Sequence, residues 1–466
     1  VLEWAGMAST RGWRPPTWAV LAAGSASAAL ISWATRPSIA ADDAAVTFRY
    51  AERLATGDGL TYNDGERVLG ASSGLHTLLL AAGRWLGASV PSTAVAVGVV
   101  GMAVCTALVG LLAARLGGRL PAVVAMFLFL AAPVRWHATG GLESSTLLAC
   151  CLAAVVLWQA GRERLAGIAI GVALVAKLDA GALLVALVGA SLVVRRRMPV
   201  VTLVWTAVAA APWFLWVTWQ FGNPLPQSLR SKATGRADAP GYAYTPTWAL
   251  RLVRAVVPAA VAGVAVGVVR RGDPLSREVR LTLVGWLVLS LAAVSLIPLG
   301  AAYPWYTAPL YAPIAVLAGD AVGWARGAIR HRSPSPALVA VPLVLIVLSS
   351  LLLARNVVAD LRAGVTGDGA ALQWEDFRSA GRFVEAEHPG AVLETCFGWA
   401  GYAAPSATIA DPCAINSPWP TEAADVRIDV VPAGDRGVVP GWCEEVRFDR
   451  AGRSPDGVDT VVRARC

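Results

Sequence analysis

Apolar stretches long enough, or nearly so, to cross a hydrocarbon core recur along most of this chain. They cover residues 18–35, 93–114, 120–134, 142–160, 165–177, 179–194, 200–219, 249–269, 281–299, 306–325 and 337–354. A bilayer core takes about 20 helical residues to span, and a chain in lipid must satisfy its backbone polar groups internally. The pattern therefore predicts an α-helical polytopic membrane protein with about 11 transmembrane helices. Charge supports the same class: 15% of the 466 residues are charged, where a soluble protein carries about 25%.

The arginines give an expected orientation. Arg11 and Arg14 precede the first span. Alternate connections then carry Arg115 and Arg119; Arg162 and Arg164; Arg195, Arg196 and Arg197; Arg270, Arg271, Arg277 and Arg280; and Arg326, Arg330 and Arg332. Positive residues beside spans mark the cytoplasmic face. The N-terminus is therefore expected in the cytoplasm of a plasma-membrane protein, with residues 36–92, 135–141, 220–248, 300–305 and the tail from about 355 outside. This assignment makes residues 72–88, apolar but containing Ser72, Ser73, His76 and Arg84, an interfacial helix rather than a further span. Arg36, Arg49, Arg53 and Arg67 stand in the first outer loop against the charge rule, which long loops escape; they point to other roles. The first run, followed by Ile39-Ala40-Ala41, also fits a cleaved signal peptide, but the many spans that follow favour an uncleaved helix. The net charge of +8 is thus largely a topology signal, and with no basic domain it argues against a nucleic-acid partner.

The chain is expected to divide into a membrane domain, 1–355, and an extracytoplasmic α+β domain, 356–466. The second part is charged and punctuated by Pro and Gly, with helical spacing at 374–387 and alternation at Val426-Arg427-Ile428-Asp429-Val430. Cys105, Cys150 and Cys151 fall inside spans, where a thiol is a small apolar group. Cys396, Cys413, Cys443 and Cys466 lie in the tail, and four cysteines in an oxidising compartment suggest two disulfides with three pairings open; the sequential pairing is preferred.

Asp42 and Asp43 follow the first span directly. A carboxylate at a helix start satisfies free N–H groups and suits the dipole, which accounts for one of them better than for both. The segment runs on through Phe48-Arg49-Tyr50, a turn at Gly57-Asp58-Gly59, then Asn63-Asp64-Gly65-Glu66-Arg67-Val68 and Ser72-Ser73-Gly74-Leu75-His76. Further outer segments are Thr139-Gly140-Gly141-Leu142-Glu143-Ser144 and Phe221-Gly222-Asn223-Pro224-Leu225-Pro226-Gln227-Ser228, followed by Lys232.

These segments resemble the loops of the GT-C superfamily of membrane glycosyltransferases, most nearly its actinobacterial arabinofuranosyltransferase branch. The double acid, the N-x-G-E-R-V stretch, the S-G-L-E-[ST]-like start of a span and the Y-G-x-x-x-P-like loop carry the resemblance. It covers residues 18–355 in pattern, but its specific matches are confined to the loops. Where relatives have Arg-Pro-Glu or Arg-Pro-Asp, this chain has Lys177-Leu178-Asp179, which keeps a cation and an acid and loses the proline turn.

The resemblance implies a polyprenyl phosphate sugar as donor, a cell-envelope glycan or glycolipid as acceptor, no required cofactor and room for a divalent cation. A sugar hydroxyl is a poor nucleophile, so a carboxylate should take its proton; Asp42 or Asp43 is the candidate, Asp42 slightly preferred. A departing phosphate needs fixed cations, for which Lys232, Arg135, Lys177 and Arg49 are candidates. An arginine at a helix end also snorkels to lipid head groups without further purpose, and Lys177 and Asp179 are equally explained as a pair. Glu143, His76, His137, Asn223, Gln227, Trp305 and Tyr306 are candidate substrate contacts; the four histidines show no metal-ligand spacing. A transporter of lipid-linked sugars, a catalytically silent subunit and an enzyme using another sugar or a protein acceptor are the competing readings.

Overall fold

The computed structural model describes residues 16–233, 273–296, 304–331, 369–413, 424–432, 439–448 and 458–466. Helix α1 (Pro16–Ala34) enters the bundle and is followed, outside it, by α2 (Asp42–Thr56) and α3 (Gly74–Trp85). The bundle continues with α4 (Val90–Gly117), α5 (Arg119–Ala131), the short α6 (Val134–Thr139), α7 (Ser144–Gln159), α8 (Glu163–Ala176), α9 (Ala180–Arg195) and α10 (Val200–Phe221). After α11 (Gln227–Ala233) come α12 (Pro274–Leu296), a 3-10 turn at Pro304–Thr307 and α13 (Ala308–His331).

Among the described residues, four helical segments are long and apolar enough to cross a membrane: Thr17–Ala34, Val90–Gly117, Val200–Phe221 and Trp305–Ile329. The expected spans at 249–269 and 337–354 lie outside the described residues. Several others form shorter apolar helices, such as the 13 residues of α5, about 20 Å at 1.5 Å per residue. Within 72–88 the chain forms α3, 12 residues long. Its N-cap Ser73 accepts from His76 N, and its Arg84 pairs with Glu52 of α2 at 2.6 Å.

One expectation about the arginines is corrected. Arg277 and Arg280 belong to α12 rather than to a connection, and Arg280 is buried against Asp320 of α13 at 2.7 Å. Arg195 in the last turn of α9 reaches the buried Glu278 at 2.7 Å and Glu163 at 3.4 Å. An unpaired charge between packed helices is costly. These arginines therefore tie α8, α9, α12 and α13 together at one end of the bundle, besides any part they play in orientation.

The tail begins with α14 (Gly369–Glu387) and continues through β1 (Val392–Glu394), α15 (Gly398–Ala403), β2 (Thr408–Ala410), β3 (Val426–Pro432), β4 (Trp442–Phe448) and β5 (Val458–Arg465). The strands form one sheet in the order β2-β1-β3-β5-β4. Strand β1 is parallel to β2 and β3, and β5 is antiparallel to β3 and β4. Cys396 is bonded to Cys413 and Cys443 to Cys466.

Two apolar cores result. One lies among the bundle helices, around Phe129, Leu148, Leu183, Leu283 and Leu317. The other joins the first outer loop to the tail: Phe48, Tyr62 and Leu80 are buried together with Trp374, Phe377, Trp399, Ile409 and Val426. At Gly398 the two parts are in close contact: a Cβ there would stand 2.2 Å from the backbone oxygen of Asp42. Gly398→Ala is expected to loosen the tail by about 2 kcal/mol, read as roughly 30-fold faster proteolytic release of the tail under native conditions. An unchanged release rate would show that the contact is not tight.

Candidate active site

Helix α2 opens directly on the acid pair. Asp42 is 4% exposed, and its two carboxylate oxygens accept from the backbone N–H groups of Gly398 and Trp399, each at 2.9 Å. Asp42 therefore caps the tail helix α15 rather than its own helix alone. Asp43, also in the first turn of α2, is half-buried.

Arg49, two turns along α2, is buried as well. It donates from Nε to Tyr62 O at 2.8 Å, and from its terminal nitrogens to the carbonyls of Gly401, of Ala404 at 3.0 Å and of Ala407 at 2.8 Å. Burial lowers its pKa from the ordinary value, and the carbonyl dipoles take the place of a counter-ion. Asn63 continues the seam: its side-chain amide donates to Ile409 O and accepts from Ile409 N, both at 2.9 Å. The side chain thus imitates a neighbouring strand at β2.

The bundle ends nearest α2 are drawn to the same place. Ala41 N donates to Gly140 O at 2.8 Å. His76 Nε2 lies 3.0 Å from Gly141 O, and Gly141, at φ +89°, packs so closely that a Cβ would stand 2.7 Å from the Phe48 ring. Glu143, at the start of α7, meets Lys177, at the end of α8, at 2.5 Å. Lys177 also lies 4.0 Å from Asp179 and 5.2 Å from the centre of the Tyr306 ring. Trp305, beside Tyr306, is buried. Gln227 N donates to Leu69 O at 2.7 Å, which brings the start of α11 onto the loop.

The remaining candidates serve local structure in this arrangement. Arg135 is fully buried and donates to Thr35 Oγ1 at the end of α1. Asn223 Oδ1 accepts from Leu225 N at 2.8 Å and shapes the turn after α10, while Gln227 Oε1 accepts from Arg230 at 3.4 Å. Lys232 lies on α11, but its side chain is outside the described residues. Cys396, Asp411 and Cys413 are the group among the described residues with ligand atoms close enough to share a metal, and the two sulfurs are already bonded to each other.

A small pocket opens near the break after α8. Leu69, Ala71, Ser72 and Gly74 line it from the loop, Leu174, Val175 and Leu178 from the end of α8 and the residues after it, and Trp213, Phe214, Pro224 and Pro226 from α10 and the turn after it. Leu178, the residue after the largely buried Lys177, is among its walls.

Neither a protein-family model nor a curated protein matches the chain. Solved structures do. ArnT from Cupriavidus metallidurans, bound to undecaprenyl phosphate, superposes with a TM-score of 0.60 at 16% identity, covering 96% of this chain and 98% of that one. The Archaeoglobus fulgidus oligosaccharyltransferase in its apo form gives 0.57 at 13% identity, covering 90% of this chain and 70% of that one. AglB of that organism, in complex with an inhibitory peptide and a dolichol-phosphate, gives 0.51 at 14%, covering 88% and 65%. This chain has the GT-C fold. At these identities the likeness is one of architecture, and it extends through the tail as well as the bundle.

Three of the segments that resemble GT-C loops meet here: 42–76, 139–144 and 221–228. The part played by the tail could not be read from the residues alone. Gly398, Trp399 and Gly401 have no motif or periodicity that points to α2, and their partners are more than 350 positions away.

His137 is buried within reach of the charges of Lys177 and Glu143, with its Nδ1 unpartnered among the described residues. Burial and the charge of Lys177 lower its pKa to about 3, against the pull of Glu143. The unfolded imidazole takes its proton near the ordinary value of 6.5. Between those values the unfolded state binds the proton and the folded state does not, so stability falls as pH falls, by at most about 1.4 kcal/mol per unit. Melting temperature is expected to drop from pH 7 to 4.5, and His137→Gln to flatten part of that drop. An equal slope in both proteins would place the titration elsewhere.

Proposed function

We propose that the chain is an inverting glycosyltransferase that moves a sugar from a polyprenyl phosphate carrier to a hydroxyl group of a cell-envelope glycan or glycolipid on the outer face of the membrane. The observation that carries this reading is the Glu143–Lys177 pair, largely buried at the meeting point of the loop segments, with a small pocket lined in part by apolar side chains beginning at the next residue, Leu178. A phosphate bearing a long hydrocarbon chain needs both features side by side: low-polarity walls for the chain, and a fixed cation where water is scarce. The GT-C fold supports the same class, since it is shared with an ArnT structure holding undecaprenyl phosphate.

In the proposed reaction, Asp43 takes the proton from the acceptor hydroxyl. The oxygen then forms a bond to the anomeric carbon as the bond from that carbon to the phosphate oxygen breaks. The electron pair leaves on the polyprenyl phosphate, and the configuration at the carbon inverts. Asp43 is preferred to Asp42 because both Asp42 oxygens accept backbone hydrogen bonds, which stabilise the ionised carboxylate and make it the weaker base. Lys177 exchanges Glu143 for the donor phosphate, helped by Lys232 from α11. Arg49 and Arg135, whose donors point to carbonyls and to Thr35, are left out of the phosphate site.

Arabinofuranose is the proposed sugar, on the resemblance of the loops to the arabinofuranosyltransferase branch. Transfer from radiolabelled decaprenyl phosphate arabinose, with pentose and hexose analogues alongside, tests the reading. Asp43→Asn is expected to lower kcat by about 100-fold or more. Lys177→Gln should raise the donor KM roughly tenfold. Full transfer by Asp43→Asn would remove the proposed base, and no transfer from any polyprenyl phosphate sugar would remove the function.

A further inference from the structure

Asp42 and Arg49 stand seven residues apart on α2, which places them on one face and about 10 Å apart along the axis. The six residues of α15 make a helix of about 9 Å. The carboxylate meets the N–H groups at the start of α15, and the guanidinium meets the carbonyls of Gly401, Ala404 and Ala407 at and beyond its end. Each charge therefore faces the end of the helix dipole that it stabilises. The grip is tight on both sides: Gly398 leaves no space for a Cβ next to Asp42, and a Cβ at Gly401 would stand 2.6 Å from the Tyr62 hydroxyl. Trp399 adds a third tie, its indole N–H donating to Ala40 O at 2.8 Å, one residue beyond Ala41, which is itself bonded to Gly140.

We infer that Asp42 and Arg49 are positioning residues that latch the tail onto α2, and that the docked tail fixes the first turn of α2 and with it Asp43. The inference rests on the reading of Asp43 as the base. Ala40 to Asp42 is held between the tail on one side and the Gly140 turn on the other, and Asp43 is the next residue. Loss of the tail contacts removes the hold on that turn from the tail side, while the Ala41–Gly140 bond and the packing on Gly141 remain. Catalysis by Asp43 then depends on a helix that belongs to another part of the chain.

The test uses the full chain in lipid nanodiscs, comparing wild type, Asp42→Asn, Arg49→Lys and Asp43→Asn. Amide hydrogen exchange over residues 396–410 reports docking, and transfer of the polyprenyl phosphate sugar reports catalysis. Asp42→Asn and Arg49→Lys are each expected to speed that exchange about tenfold. They should also lower kcat about tenfold or more, with the donor KM and the acid limb of the pH profile kept. Asp43→Asn should leave exchange at the wild-type rate while transfer is lost. If Asp42→Asn loses transfer and the acid limb with exchange unchanged, Asp42 is the base and the latch is overturned. Arg49→Lys supplies a second reading at the far end of α15, should Asp42→Asn fail to fold: unchanged exchange there equally overturns it. Full activity in Asp43→Asn removes the base assignment instead, whatever the exchange shows.

Discussion

The seam between α2 and α15 is the contact on which the outer half of this protein depends. Backbone groups at the ends of a helix have no partners within it, and a six-residue helix consists almost entirely of such ends. Here Asp42 and Arg49 supply the missing partners from another element. Their charges are buried, and a buried charge is tolerated when its lone pairs or protons are satisfied. Each side solves the other's problem: α15 is capped by α2, and the two ions of α2 are neutralised by the backbone of α15. The apolar core around Phe48, Tyr62, Trp374 and Ile409 closes over the seam. The loop after α1 and the tail share one apolar core.

That core adjoins the bundle ends. Glu143 and Lys177 come from α7 and from the break after α8, each brought outward by its own helix. In a low-dielectric setting they satisfy one another closely, and the same setting gives the lysine strength toward a competing anion. The small pocket near it is lined by groups from the loop, α8 and α10. Hydrocarbon and phosphate would therefore be recognised by adjoining surfaces that belong to different parts of the chain.

Much of this was legible in advance where the signal is local. Apolar runs marked the helices, and the arginines of the connections grouped on one side of the bundle the loop segments that the structure brings together. Residues whose partners are distant were harder. Arg280 reads as a topology arginine until Asp320 is found against it, 40 positions on. Arg49 reads as a phosphate ligand until its donors are traced to carbonyls more than 350 positions away. Asp42 was recognised as a helix-capping acid, but the helix it caps lies in the tail. Hydrogen bonds to backbone are made by any residue type, so the sequence of the partner carries no mark of them.

The central claim is that a lipid phosphate is held at Lys177 with its hydrocarbon in the adjoining pocket. A cryo-electron microscopy map of the full chain in nanodiscs with a polyprenyl phosphate added tests it directly. The account predicts phosphate density within hydrogen-bond reach of Lys177 Nζ, the Lys177–Glu143 contact opened, and chain density running past Leu69, Leu174 and Trp213 with α15 still docked on Asp42. Phosphate bound away from Lys177, or a pocket that stays empty while lipid density lies elsewhere, would contradict it.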